Sequence, residues 1–335
     1  MTATKKMGQI AYSMNLYSSF RARNRVYSPE CDMAAAPFPS WIQLQTINAC
    51  QASCLMCPYP VYKNVHPRGR MDDDLFEKVT AEIAERSEIE TFIPMLQNEP
   101  LLDKHIFDKV KRFKERTAGR VRVELVTNGA FLSAENIDRI RESKLDLLDI
   151  SLDAVSRDVY EKIRIGLDYD EVLAGVERAI AADLPATSIF VRLVKQKENA
   201  HEVEAFASHW RQRGVPVFIY TAHNRVGAVA SFEEKVRLPE REIPVLHKIG
   251  RRIARAYLRH CPVPFTMTNI LHNGDMLMCV HDWGRKEVIG NVRDATIAEL
   301  WNGPRMREIR ARVSERDYEA LPACRDCSIW RDGWV

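Results

Sequence analysis

The sequence predicts an α/β protein: a parallel sheet, curled or doubly wound, followed by a smaller second domain. Three observations carry this. Six strand-like runs alternate with five helical periodicities between residues 41 and 220, the pattern of successive β-α units. Beyond about residue 230 that rhythm breaks. Seven of the eight cysteines fall into two groups, one just behind the first strand and one spread through the tail.

The bounds are broad but useful. At roughly 150 residues per domain, 335 residues suggest two, and 46% hydrophobic residues suffice for a substantial core. A formal charge of +3, from 49 Lys and Arg against 46 Asp and Glu, calls for neither nucleic acid nor an anionic membrane as partner. No run of roughly 18 apolar residues occurs, and the opening Met-Thr-Ala-Thr-Lys-Lys lacks the apolar core of a signal peptide. Eight cysteines in an unsecreted chain read as metal ligands rather than disulfides, and a cytoplasmic location is expected.

In chain order, residues 1–40 mix Tyr, Phe and Met with Arg and Ser and end on Pro37 and Pro39. They read as an irregular or short helical extension, too short for a separate peptide-binding domain, with Cys31 a spare thiol. Residues 41–235 form the alternating region. Its strand-like runs are 41–47, 91–96, 121–126, 147–152, 188–194 and 216–220. Helical periodicity covers 72–86, 103–115, 133–143, 170–182 and 200–213. Asp72 opens its helix with acidic residues in the first turn, and Ser133 is followed three residues later by Asn136. In such a sheet catalytic residues sit at the carboxyl ends of the strands and on the loops beyond them. Residues 236–335 form the second domain. A basic amphipathic stretch, 243–258, leads to Cys261; Asn273-Gly274 signals a type I′ hairpin; helices follow near 296–301 and 304–313; Cys324-Arg-Asp-Cys327 closes the tail.

The stretch Cys50-Gln-Ala-Ser-Cys54-Leu-Met-Cys57 places three thiols directly after the first strand. Soft thiolates select zinc or an iron–sulfur cluster. A structural zinc is closed by four ligands, and His66 could supply the fourth; three thiolates on a cubane would instead leave one iron open.

This C-x3-C-x2-C loop resembles the cluster loop of the radical S-adenosylmethionine (SAM) enzymes. The resemblance implies a partial (β/α)6 TIM-like barrel and a [4Fe-4S] cluster at Cys50, Cys54 and Cys57. It also implies SAM chelated through its amino and carboxylate groups on the open iron. An external reductant such as flavodoxin or ferredoxin would supply the electron that releases a 5′-deoxyadenosyl radical, which takes a hydrogen atom from substrate. Met56, inside the loop, is expected among the cofactor contacts. Gln97-Asn98-Glu99-Pro100 stands where the family has Gly-Gly-Glu-Pro, so Glu99 is expected beside the methionine amine, while Gln97 and Asn98 depart from the glycines. Asn128, in Thr127-Asn-Gly129, ends the third strand as in the family. Ser151 and Asp153 are expected at the ribose or methionine of SAM, with capping of the next helix as the alternative. Arg164 matches an arginine set against the SAM carboxylate.

Arg192 interrupts the apolar fifth strand and points either into the cavity, as a cofactor or catalytic contact, or outward between helices. His223, Asn224 and Arg225 share the loop after the sixth strand and could line a polar pocket, with His223 a candidate catalytic group. In the tail, Cys261, Cys279, Cys324 and Cys327 suffice for one tetrahedral site, and by spacing alone zinc and a fully ligated cluster are equal readings. The surrounding Asn273-Gly-Asp-Met-Leu-Met-Cys279, Gly290-Asn-Val and Leu300-Trp-Asn resemble the SPASM/Twitch auxiliary-cluster domains of radical SAM enzymes. Four cysteines match the shortened form with one auxiliary [4Fe-4S] cluster. Asp282, three residues after Cys279, is the candidate base that couples proton loss to that cluster, or else a turn residue.

The resemblance thus implies net dehydrogenation of a small-molecule substrate (a sugar, aminocyclitol or nucleoside, in natural-product biosynthesis), with the auxiliary cluster accepting an electron. The alternatives are a redox-neutral dehydration, decarboxylation or epimerisation, radical modification of a peptide, and a non-catalytic zinc-binding protein.

Overall fold

The structure is a computed structural model that describes residues 36–239 and 260–327. Most of the predicted extension, with Cys31, and the amphipathic stretch 243–258 lie outside the described residues.

The predicted alternation is present. The strands are β1 (Trp41–Leu44), β2 (Thr91–Ile93), β3 (Arg122–Thr127), β4 (Leu147–Ser151), β5 (Ser188–Lys195) and β6 (Val217–Thr221), all parallel. Three more follow: β7 (Met267–Ile270), β8 (Asp275–Leu277) and β9 (Val288–Asn291). Among the described residues these form one sheet in the order β6-β5-β4-β3-β2-β1-β7-β8-β9. β6 and β9 end that order without pairing, so the barrel is partial.

A seventh strand joins the tail to this sheet. β7 lies parallel to β1, with Trp41 opposite Met267 and Leu44 opposite Ile270, and β8 and β9 continue the sheet antiparallel. The β7–β8 hairpin sits where Asn273-Gly274 signalled one. It is not of type I′: Gly274 alone has positive φ (97°), whereas that turn needs two such residues. The amide of Gly274 instead donates to the Leu271 carbonyl at 2.9 Å, ending a longer loop on a single left-handed residue.

The helices settle close to their periodicities. Asp72 caps Asp73–Ala84 by accepting from the Leu75 amide at 2.9 Å, and Ser133 caps Ala134–Ser143 by accepting from the Asn136 amide at 3.2 Å. Two predicted helices begin with a tighter turn, Pro100–Leu102 before Ile106–Arg116 and Lys197–Glu202 before Val203–Gln212. The helix Arg157–Ile163, seven residues long, is too short to show a period in the sequence.

Strand alternation sorts the two faces. Val123, Leu125, Leu148, Ile150, Val191 and Leu193 are fully buried in one cluster with helix residues such as Phe76, Phe107, Ile140 and Phe206. Each such side chain contributes roughly 1.5–3 kcal/mol relative to exposure. The opposite face carries Glu124, Asp149, Ser151 and Arg192, with Tyr220 beside them, and this polar face lines the inside of the curled sheet. Arg192 therefore points into the cavity.

Candidate active site

The three-cysteine loop leaves β1 and is pinned from below. The amides of Ser53 and Leu55 donate to the carbonyls of Ile165 and Ile163, each at 2.8 Å. Arg164, between those carbonyls, is thereby aimed at the loop, with its Nη1 3.7 Å from Cys54 Sγ. Cys54 is buried; Cys50 and Cys57 are half-buried. Burial pushes the Cys50 thiol up to about 12 and Cys54 to about 11, each raised further by the neighbouring cysteines, though Arg164 pulls Cys54 down. Burial and mutual repulsion therefore disfavour thiolates at Cys50 and Cys54, so ionising them requires a compensating cation, which fits an iron cluster. His66 is not turned to them: its Nε2 lies 2.7 Å from the Trp283 carbonyl oxygen and its ring stacks on Tyr62. Among the described residues, no three Cys, His, Asp or Glu side chains gather tightly enough for a single ion. Met56 packs into the main core at 8% exposure.

After β2, Gln97 adopts φ 57°, so the chain takes at this position a left-handed turn that suits the family's glycine. The Gln97 side chain holds the turn by donating to the Val280 carbonyl at 2.9 Å, and Asn98 Oδ1 accepts from the Leu96 amide at 2.8 Å. Glu99 is buried. Its Oε1 accepts from Thr127 Oγ1 (2.6 Å) and the Leu101 amide (3.1 Å), and its Oε2 from the Asn128 amide (2.8 Å). Oε2 thus keeps room for one more donor, which fits an ammonium group. Burial raises the Glu99 carboxyl to about 6 against these hydrogen bonds. Asn128 Oδ1 accepts from Gln51 Nε2 at 3.3 Å, tying the third strand's end to the cysteine loop.

Asp153 has no surface exposure and a positive φ of 68°. Its Oδ1 accepts from the Val194 amide at 2.6 Å and its Oδ2 pairs with Arg164 Nη2 at 2.6 Å. Neither Asp153 nor Ser151 caps the following helix, which starts at Arg157 behind Ser156. The Asp153 carboxylate thus meets the β5 backbone with one oxygen and Arg164 with the other. Ser151 ends β4, buried, in register with Arg192. Arg192 pairs with Asp149 and lies over the Tyr220 ring, 5.0 Å from its centroid. Asp149 was legible by the same signal as Arg192, a charge inside an apolar strand.

In the tail, the four cysteines lie within electrostatic reach of one another. Burial first, then Cys261, Cys327 and Cys324, drive the Cys279 thiol far above its ordinary range, and burial pushes Cys261 up to about 12. Four half-buried cysteines grouped this way suit a fully ligated metal centre. Asp282 is fully buried. Its Oδ1 accepts from the Lys286 amide (2.9 Å) and its Oδ2 from the Glu287 amide (2.7 Å), so the carboxylate closes its own loop. The neighbouring His281, which the sequence did not single out, lies near Arg225 and His223 instead. Its adjacency to Cys279 was the available signal.

The first cysteine site packs against the tail near Cys279. Tyr59, Ala228 and Trp283 pack together against Cys50, Cys57 and Tyr62. The contacts of His66 with Trp283 and of Gln97 with Val280 cross the same boundary.

Comparison with known proteins agrees with this layout. The chain matches the family model of the radical SAM superfamily over residues 44–209 and that of an iron–sulfur cluster-binding domain, SPASM, over residues 261–328. SAM, a [4Fe-4S] cluster and an auxiliary [4Fe-4S] cluster are the cofactors of these two domains. GTP 3′,8-cyclase of Limosilactobacillus fermentum is 26% identical over 181 residues, covering 53% of this chain and 52% of that protein. AdoMet-dependent heme synthase of Methanosarcina barkeri is 26% identical over 180 residues, covering 51% and 50%. The chain thus spans about half the length of these curated relatives. Among solved structures, BtrN in complex with AdoMet and 2-DOIA superposes with a TM-score of 0.60 at 17% identity, over 88% of this chain and 94% of that one. SuiB of Streptococcus suis bound to precursor peptide SuiA gives 0.64 at 13% identity, over 83% and 68%. At these identities the likeness is one of fold. With a cysteine loop, a partial barrel and a cysteine-bearing tail that all agree, the chain belongs to the radical SAM superfamily and carries a C-terminal SPASM domain.

Proposed function

We propose that this protein is a radical SAM oxidoreductase that dehydrogenates a small polar substrate, a sugar, aminocyclitol or nucleoside. Cys50, Cys54 and Cys57 hold the catalytic cluster, and Cys261, Cys279, Cys324 and Cys327 hold the auxiliary one. The observation that supports the reading is the turn after β6: its Ala228 packs with Tyr59 and Trp283 beside Cys50 and Cys57, while Gly227 abuts Asp326 of the Cys324-Arg-Asp-Cys327 motif. When bound, SAM and the two clusters would supply the hydrogen-atom and electron acceptance that a net dehydrogenation needs.

The chain's own residues do the rest. Glu99 accepts the SAM ammonium on its open lone pair, with Asn128 fixing the carboxylate from the other side. Arg164, held by Asp153, stands against Cys54 and the carboxylate end of SAM. Ser151 and Arg192 face the cavity from adjacent strands and orient substrate hydroxyls. His223, on the loop after β6, accepts the proton released as the carbonyl or imine forms. Such oxygen-sensitive chemistry suits the cytoplasm, with flavodoxin or ferredoxin as the external reductant. No helix among the described residues is long and apolar enough to cross a membrane.

A redox-neutral reaction on a nucleotide is the second reading, favoured by the GTP 3′,8-cyclases among the relatives. SAM accounting separates the two. Consumption of one SAM per product indicates net oxidation. Cys324→Ala should then retain SAM cleavage by the reconstituted protein and lose product. Full product yield from that variant with one cluster missing would overturn the electron-acceptor role.

A further inference from the structure

The turn that follows β6 is wedged between the two cysteine sites. Ala228 packs with Tyr59 of the first cysteine loop and with Trp283 of the tail. Gly227, at φ 69°, abuts the second site: a Cβ there would lie 3.3 Å from Cβ of Asp326, in the Cys324-Arg-Asp-Cys327 motif. The half-buried Arg225 opens this turn, and its guanidinium is near Cys57, Arg192 and Arg164, with His281 also in reach.

The three arginines differ in their partners. Arg164 is matched by Asp153 at 2.6 Å, and Arg192 by Asp149. Arg225 makes no side-chain hydrogen bond or ion pair among the described residues. Cys57 lies within its electrostatic reach, and a cluster held there would take up the charge of that sulfur. An oxidised cubane on three thiolates carries one net negative charge and SAM one net positive charge, so together they leave Arg225 unbalanced. Even a half-buried guanidinium without a counter-ion is unfavourable, and burial lowers its pKa from the ordinary arginine value. Its planar fork matches the paired oxygens of a carboxylate or phosphate.

We infer that Arg225 is the oxyanion-binding residue of the substrate cavity, gripping a phosphate or carboxylate carried by the substrate between the two cysteine sites. This deepens the proposed function by naming a substrate class: the small polar molecule is anionic. His281 lines the same space and adds a hydrogen-bonding ring.

The test is equilibrium binding to the full-length protein, reconstituted without oxygen and saturated with SAM, so that turnover is not needed. Inorganic phosphate and malonate are the two probes, titrated calorimetrically. The wild type is expected to bind one of them saturably; phosphate assigns a phosphoryl group and malonate a carboxylate. Arg225→Gln should weaken that binding about ten- to a hundredfold, as expected for a lost charge-assisted pair. Arg225→Lys, which keeps the charge but not the fork, should weaken it less, and guards against a folding defect in the glutamine variant. SAM affinity should stay within about twofold in both, and iron content should not change. The inference is overturned if neither probe binds the wild type, or if Arg225→Gln binds the probe as well as the wild type does. A tenfold loss of SAM affinity in the variant would also overturn it, by assigning Arg225 to the SAM carboxylate. Because no electron transfer is read, failure here leaves the Cys324→Ala experiment on the acceptor role untouched.

Discussion

Replacing Asp153 by Asn should destabilise the protein by about 3–5 kcal/mol, the cost of stranding a buried guanidinium. The substitution is chosen so that little else changes. Asp153 sits at φ 68°, a conformation that Asn tolerates better than other side chains do. An amide oxygen can still accept from the Val194 amide, as Oδ1 does now at 2.6 Å. What is lost is the charge facing Arg164 Nη2 at 2.6 Å, with side-chain exposures of 0% and 9% for the two residues. Unit charges about 4 Å apart at an effective dielectric near 20 interact by about 4 kcal/mol, in line with that range. Cys54 Sγ, 3.7 Å from Nη1, offers partial compensation when it is a thiolate, so the metal-free, reduced protein should show the larger loss. Urea denaturation of wild type, Asp153→Asn, Arg164→Met and the double variant measures the effect. The double variant should cost about 2–3 kcal/mol less than the sum of the two single variants, since it removes both charges. A cost for Asp153→Asn below about 1 kcal/mol, or strict additivity, would refute the claim that this pair is what holds Arg164 under the loop.

Two further outcomes follow from the geometry. Burial raises the Glu99 carboxyl from its ordinary 4.5 to about 6, so the folded state favours its neutral form. Its stabilising contribution is full below about 4.5 and is lost as pH rises through about 6. The loss amounts to about 2 kcal/mol; Glu99→Gln should lack it, and urea midpoints of the two proteins compared at pH 4.5 and 7.5 would read the difference, with parallel pH profiles counting against it. Lys144, exposed at the end of the helix Ala134–Ser143, adopts φ 55°. Lys144→Gly should therefore stabilise the protein by about 1 kcal/mol, and a lowered urea midpoint would contradict the strain argument.

Much of this could be read from local pattern. Asp72 and Ser133 announced their helices because a cap is a bond between residues three apart, which sequence order already brings together. The cysteine loop was legible for a similar reason: three thiols within eight positions must converge wherever the segment goes. Gln97 is the instructive departure. The left-handed turn survives without glycine because a side chain 183 residues distant in sequence from its partner, the Val280 carbonyl, ties it down.

Asp153, Asp282 and Arg225 mark where pattern stops. In the sequence each is a charged residue near a strand end or a cysteine, and a cofactor contact, a base or a pocket lining fits each equally. Their partners decide: Arg164 and Val194 occupy Asp153, two backbone amides occupy Asp282, and no anion among the described residues meets Arg225. The pairing of β7 with β1 is of the same kind, joining positions 226 residues apart and bringing the tail strands into the first sheet. Residue type and spacing set which helices and strands form and which thiols can share a centre, since those depend on neighbours along the chain. Which charges end up neutralised depends on contacts that exist only after distant segments have packed.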